Sequence, residues 1–471
     1  MADQDLAFVS ATEAIAQFRA RTLSPVELLD AVIARHDAAN SKINAFTYTL
    51  FDSAREQAKK AEANYATGKP TRAFEGIPLV IKDDYAVKGL VTTHGSLLFK
   101  DHVDDESEFF VERMLRARPV LVGRSTCPEF SSACVTHSRL WGVTRNPWNL
   151  RYNTGGSTGG GAAAVAAGMT VLSDGSDYAG SIRIPASACG VFGFKPPFGR
   201  IPTSPPWYLN PYAVLGPITR SVADAALMMN VMAGHDPRDL TSVKERLRYP
   251  AQYKPIKGWR VAYSADLGFF PVAPDVAKAT LAALDGFREA GAEIEEVELG
   301  WSEDAVRAFV AHAREADFFP IGKLPAKQRA LLCDYIRNRK GKFLAKGTSY
   351  ADSLTIRAAM YDKLEPILER CQVLLCPTLA VPSVPAEHDP LDDSFTINGK
   401  KVEPQIGWCM TFPFNMLCQL PVACVPCGFG KSGVPIGLQI VGRPFDDLTV
   451  FEAAAAFEQA RPWRQHRPKI S

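Results

Sequence analysis

A chain of 471 residues with 46% hydrophobic and 22% charged residues has ample apolar material for a large globular core. Its net charge of +2 excludes a strong field steering it toward nucleic acid or an acidic membrane. Ten cysteines without regular spacing argue for a reducing setting rather than a disulfide framework.

The first residues, MADQDLAFVSATEA, lack the basic start and apolar run of a signal peptide. Ser10 to Glu13 and Ser24 to Glu27 both fit the S-x-x-E capping box, and Pro25 suits a first helical position. Behind the second box, Val26, Leu29, Val32 and Ile33 form an apolar stripe, and a further helix is expected over 52–65. Residues 1–70 therefore read as a helical N-terminal part.

Short apolar runs follow at 77–81, 120–122, 171–172, 191–194, 261–263, 294–297, 373–375 and 422–425. Amphipathic or Ala-rich stretches separate them at 108–116, 162–167, 221–233, 275–290 and 448–460. Buried strands alternating with helices predict an α/β fold, a mixed central sheet covered on both faces by helices. Nothing marks a domain boundary, so 1–471 reads as a single domain. Polar, aromatic-bearing stretches at 301–350 and 388–407 read as insertions or lids.

The longest small-residue run, 162–172, is too short to span a bilayer, and a cytoplasmic protein with no membrane partner is expected. The basic cluster RNRKGK at 337–342 lacks interleaved aromatics and reads as a solvated surface, with no nucleic-acid partner. Cys424 and Cys427 have C-x-x-C spacing but no second pair, so they read as structural. His312 and Glu315 have a spacing too common to imply a metal, and neither a metal nor another cofactor is expected.

The segment GGSTGGGAAAVAAGMTVLSDGSDYAGSIRIP, 155–185, holds eight glycines, four serines and no histidine. It lacks the Gly-Lys-Ser/Thr of a phosphate loop. Gly155 to Gly159 matches the G-x-S-x-G nucleophile elbow, with His388 or His466 as a base, but a polar turn precedes it where a buried strand belongs. A third reading uses Lys82, which closes the apolar run 77–81. Burial favours the neutral amine, which can take a proton from a serine, so Lys82, Ser157 and Ser181 can form a relay. Glycines then serve backbone geometry and close approach of peptide N–H groups to a reacting carbonyl.

GIPLVIKDDYAVKGLVTTHGS at 76–96, GGSTGGGAAAVAAG, and DGSDYAGSIRIPASACGVFGFKP at 174–196 resemble the lysine and serine-glycine segments of the amidase signature hydrolases. RNPWN, GPITRSVAD and the C-terminal PFNMLCQLPVACVPCG are also similar to stretches of that family. The resemblance runs from about residue 5 to residue 460 and is weakest over about 300–400. It implies the family's fold, with 71–235 as signature core and 300–410 as variable substrate-binding insertions.

Position by position, it implies Ser181 as nucleophile, Ser157 as bridging serine after a cis peptide bond, and Lys82 as base. Tyr178, Ala179, Gly180 and Ser181 match the oxyanion loop, and Asp177 and Arg183 match residues that hold it. Two positions depart from the pattern. Thr158 stands where a second serine is usual and keeps a hydroxyl for a local hydrogen bond. Tyr178-Ala179 stands where a Thr/Ile-Gly pair is common.

The expected activity is cleavage of a carboxylic amide through a serine acyl-enzyme. Phe130, Trp141, Trp207, Tyr208 and Phe412 are candidates to line the pocket, which suggests aryl or alkyl amides or carbamates. Two alternatives are the amidase component of a glutamine amidotransferase and a G-x-S-x-G esterase. The expected partner is the small-molecule substrate, with the protein a monomer or homodimer.

Overall fold

The computed structural model describes residues 6–68, 70–315, 321–338 and 347–470. Both S-x-x-E segments start helices. Ser10 and Glu13 cap each other's backbone at the head of α1 (Ala11–Ala20), and Ser24 and Glu27 do so at α2 (Pro25–Ile43). Of the stripe, Leu29, Val32 and Ile33 are buried and Val26 is half-buried. A third helix, α3, covers Phe51–Ala66.

Eleven strands form one mixed sheet. In chain order they are β1 (Phe46–Thr49), β2 (Pro78–Lys82), β3 (Val120–Ser125), β4 (Leu172–Asp177), β5 (Phe192–Lys195), β6 (Val214–Thr219), β7 (Arg260–Tyr263), β8 (Glu293–Glu296), β9 (Val373–Pro377), β10 (Val422–Phe429) and β11 (Pro435–Val441). Their spatial order is β1-β3-β2-β4-β6-β5-β10-β11-β9-β7-β8. Pairing is parallel for β3-β2-β4 and for β9-β7-β8, and antiparallel elsewhere.

Side chains alternate across a strand, and here they sort into two cores. On β9, Val373 and Leu375 belong with Leu284 and Phe287 of α8 (Pro274–Glu289) and Phe451 and Phe457 of α11 (Asp447–Ala460). Leu374 and Cys376 face the other way, toward Phe309 of α9 (Asp304–Glu315) and Leu364 and Leu368 of α10 (Tyr350–Arg370). Both faces are thus covered, in a single α/β domain. The stretch 301–350, expected as an insertion or lid, contains α9, whose Ala305, Ala308 and Phe309 are buried in the second core.

Four helices lie between these: α4 (Phe109–Arg116), α5 (Gly159–Ala166), α6 (Arg183–Cys189) and α7 (Val222–Met232). Three strands, β1, β6 and β11, do not stand out as apolar runs. In β6 and β11 glycine interrupts the pattern for a steric reason: a Cβ on Gly216 would collide with the Phe194 carbonyl oxygen, and one on Gly437 would stand 2.7 Å from Ser187 Cβ of α6. Among the described residues, no helix is long and apolar enough to cross a membrane. Of the basic cluster at 337–342, residues 339–342 lie outside the described residues.

Candidate active site

Parallel neighbours end at the same edge of a sheet, so the C-terminal ends of β2 and β4 deliver their last residues to one place. Lys82 closes β2 and is fully buried. Its Nζ lies 2.7 Å from Ser157 Oγ and 2.9 Å from Ser176 Oγ, the latter on β4. Ser157 follows a cis peptide bond with Gly156 and precedes α5. The Gly156 position admits no side chain, because a Cβ there would stand 2.7 Å from the Val135 carbonyl oxygen.

Beyond β4 the chain turns through 178–181. Gly180 has φ +123°, and a Cβ on it would overlap Thr411 Oγ1. The Thr411 hydroxyl donates to the Ala179 carbonyl at 2.5 Å. The N–H groups of Ile182 and Arg183 point at Asp177 Oδ2, and that of Ile184 at the Gly180 carbonyl. Among the described residues, the N–H groups of Ala179, Gly180 and Ser181 donate to nothing, and Ser181 Oγ makes no hydrogen bond. The Thr158 N–H donates to the Ser181 carbonyl at 3.2 Å and ties the two serine segments together.

A buried ion pair holds this turn. Arg183 Nη2 lies 2.8 Å from Asp177 Oδ1 and also donates to Asn415 Oδ1 at 2.7 Å. Its Nη1 donates to Gln439 Oε1 at 2.6 Å and to the Thr411 carbonyl at 3.0 Å. The Asn415 amide returns hydrogen bonds to the Asp177 carboxylate and carbonyl. Burial opposes ionisation of Asp177, but the Arg183 charge and these hydrogen bonds outweigh it and hold the carboxyl below its ordinary value.

Thr158 departs from expectation. Its hydroxyl, expected to keep a local hydrogen bond, is buried and has no partner among the described residues. Room for its methyl comes from glycines, since Thr158 Cγ2 lies 3.3 Å from where a Cβ on Gly161 or on Gly175 would stand. Of the five aromatic candidates, Phe130 and Phe412 pack into the second core. Phe130 packs near His94 and Phe99, and Trp141 Nε1 donates to Thr93 Oγ1, both on the Lys82 side. Phe412 is buried beside Thr411, against Phe309 and Phe270. Trp207 and Tyr208 occupy a single helical turn at 207–209, with Trp207 exposed.

Other residues at the site carry no distinguishing signal in the sequence. Ser176 is one serine among four in its segment. The Tyr178 ring packs on Tyr212 and Phe309, and Phe309 lies in the stretch where the family resemblance is weakest. A cavity of about 590 Å³ lined by His137, Arg139, Asp334, Tyr335, Glu387 and Asp389 includes none of Lys82, Ser157 or Ser181, so it is separate from this cluster. His388, a base in the esterase reading, is buried with Nε2 2.9 Å from the Pro404 carbonyl oxygen. Cys424 is buried and Cys427 half-buried, and both are free thiols.

A family model described as Amidase matches residues 27–451. An acylamidase of Rhodococcus erythropolis is 36% identical over 485 residues, covering 100% of this chain and 99% of that protein. A glutamyl-tRNA(Gln) amidotransferase component of Cyanothece sp. is 30% identical, covering 96% and 98%. Among solved structures, a bacterial aryl acylamidase of the amidase signature family superposes with a TM-score of 0.87 at 32% identity, covering 97% of both chains. With the match spanning nearly the whole chain and the fold shared throughout, this protein belongs to the amidase signature family and is an amide-hydrolysing enzyme.

Proposed function

We propose that the amide is cleaved through an acyl-enzyme on Ser181, with Ser157 relaying protons to and from Lys82. The observation that carries this reading is the 2.7 Å contact between Lys82 Nζ and Ser157 Oγ in a fully buried setting. In the proposed step, Ser181 Oγ attacks the carbonyl carbon and its proton passes to Ser157. The Ser157 proton passes to the Lys82 amine. The carbonyl π electrons move to oxygen, facing the unpaired N–H groups of Ala179, Gly180 and Ser181. Collapse breaks the C–N bond, and the relay returns a proton to the leaving amine. Water then cleaves the ester by the same route. Nucleophile contacts are often long before substrate binds and tighten in the complex, which accommodates the unpaired Ser181 hydroxyl.

The proposed substrates are acyl amides of aromatic or alkyl amines, including carbamates. The half-buried Tyr178 ring stands next to the oxyanion loop, backed by the buried rings of Tyr212 and Phe309, and the acylamidase relatives favour the same class. The similarity to an amidotransferase component keeps a glutaminase reading as second choice. Measuring kcat/KM for an anilide, a carbamate and glutamine separates the two: the anilide or carbamate is expected to exceed glutamine.

The mechanism is tested by mass spectrometry after fluorophosphonate labelling. The label is expected on Ser181, and both Ser181→Ala and Lys82→Ala should lose about 10³-fold or more in kcat. A label on Ser157, or full activity in Lys82→Ala, would sink the relay.

A further inference from the structure

Lys82 has a third polar neighbour that the relay does not use. Asp84 follows two residues after it, and Asp84 Oδ2 stands 3.8 Å from Lys82 Nζ. The same oxygen accepts the Ser131 hydroxyl at 2.5 Å, while Oδ1 faces His94 Nδ1 at 3.2 Å. Ser131 and His94 both hold positive φ, +53° and +50°, so the backbone is shaped to bring these two groups onto one carboxylate. Burial opposes the charge on Asp84, but the His94 hydrogen bond leads the interactions that hold the carboxyl well below its ordinary value.

The other carboxylates nearby are engaged differently. Asp174 Oδ1 accepts the Lys82 main-chain N–H at 2.9 Å, and burial pushes that carboxyl up to about 6. Asp83 accepts the Thr93 N–H at 3.0 Å and lies 4.0 Å from Arg124. Arg124 itself donates to the Lys82 carbonyl at 3.0 Å, and the Tyr85 ring lies 5.9 Å from Nζ. Asp84 is therefore the carboxylate that faces the amine.

We propose that Asp84 is the counter-charge of the Lys82 base, a positioning residue whose strength is set by its second partner, His94. This rests on the reading of Lys82 as the base of the relay. Lys82 becomes cationic only after it takes the Ser157 proton, so a fixed carboxylate 3.8 Å away stabilises that state more than the neutral one. A proton on His94 draws on the same carboxylate and weakens its hold on Lys82. The acidic groups facing His94 are Asp84, Asp83, Asp104 and Glu108, and its ring packs edge-on to Phe99 at 5.3 Å. Burial lowers the His94 value, but Asp84 leads the carboxylates that raise it above the ordinary value overall.

The test is the pH profile of kcat/KM for one anilide in wild type, Asp84→Asn and His94→Asn, with fluorophosphonate stoichiometry and circular dichroism as fold checks. Without its counter-charge, Lys82 gives up its proton more readily. Asp84→Asn should therefore move the acidic limb to lower pH and lower the plateau about 10–100-fold. Without a competing cation, Asp84 holds the Lys82 proton more firmly, so His94→Asn should move the limb to higher pH. His94 is partly exposed and asparagine tolerates its backbone angles, so this variant carries the test even if Asp84→Asn does not fold. Limbs that stay in place, or shift in the same direction, overturn the role of Asp84. An active Lys82→Ala enzyme overturns the relay instead, so the two failures are distinguishable.

Discussion

The Thr158 hydroxyl is a buried donor with no acceptor among the described residues, one residue from Ser157. Leaving a hydroxyl unsatisfied in a dry interior costs about 1–3 kcal/mol, and valine has nearly the same shape without that cost. Thr158→Val is therefore expected to leave stability unchanged or raise it by up to about 1 kcal/mol, as read by urea denaturation. A clear loss of stability would show that the hydroxyl has a partner in solution. Residue legibility followed the same chemistry. Lys82, Ser157 and Ser181 stand out as candidates because several separated motifs occur in order. Ser176 and Asp84 do not, because a serine or aspartate beside a motif gains its meaning only from what lies opposite it in space.

Among the elements, the ion pair of Asp177 and Arg183 fastens four pieces together. Asp177 ends β4, Arg183 begins α6, Gln439 comes from β11, and Asn415 from the short helical turn Pro413–Met416. Asn415 serves both members, accepting from Arg183 and donating to Asp177. Asn415→Ala leaves buried charged groups under-bonded and should cost about 2–3 kcal/mol of stability. Because the carbonyl of Asp177 also loses its donor, the turn at 178–181 should loosen, lowering kcat more than it raises KM. Equilibrium unfolding together with steady-state kinetics checks both effects. Asp177 and Arg183 were legible as loop-holding positions through the resemblance, whereas Asn415 and Gln439 lie more than 200 residues away along the chain.

For the whole molecule, stability should carry the mark of a buried lysine. Lys195 on β5 is fully buried, with its Nζ donating to the Pro196 carbonyl at 3.2 Å. Burial, with the nearby Arg183 charge, pushes its amine down to about 7 from 10.5. Between these values the unfolded chain binds a proton that the folded chain does not, so this lysine makes folding less favourable at low pH and the deficit shrinks as pH rises from about 7 to about 10. Lys195→Met should raise the denaturation midpoint at neutral pH and flatten its rise over that window. An unchanged pH dependence would show that Lys195 stays charged in the folded protein.

The sequence by itself determined the α/β class, the two capped N-terminal helices and the catalytic candidates. Each depends on local periodicity, on reciprocal side-chain caps, or on motifs within one short segment. Only the tertiary structure decided which aromatic rings share a wall, where β1, β6 and β11 enter the sheet, and which carboxylate faces the lysine. Glycine inside β6 and β11 erased the strand pattern because those positions exist for close contact with other chain segments. The partner of Lys82 was hidden among three aspartates, Asp83, Asp84 and Asp174. Their sequence positions do not distinguish them; direction and distance do, since only Asp84 points its carboxylate at the amine.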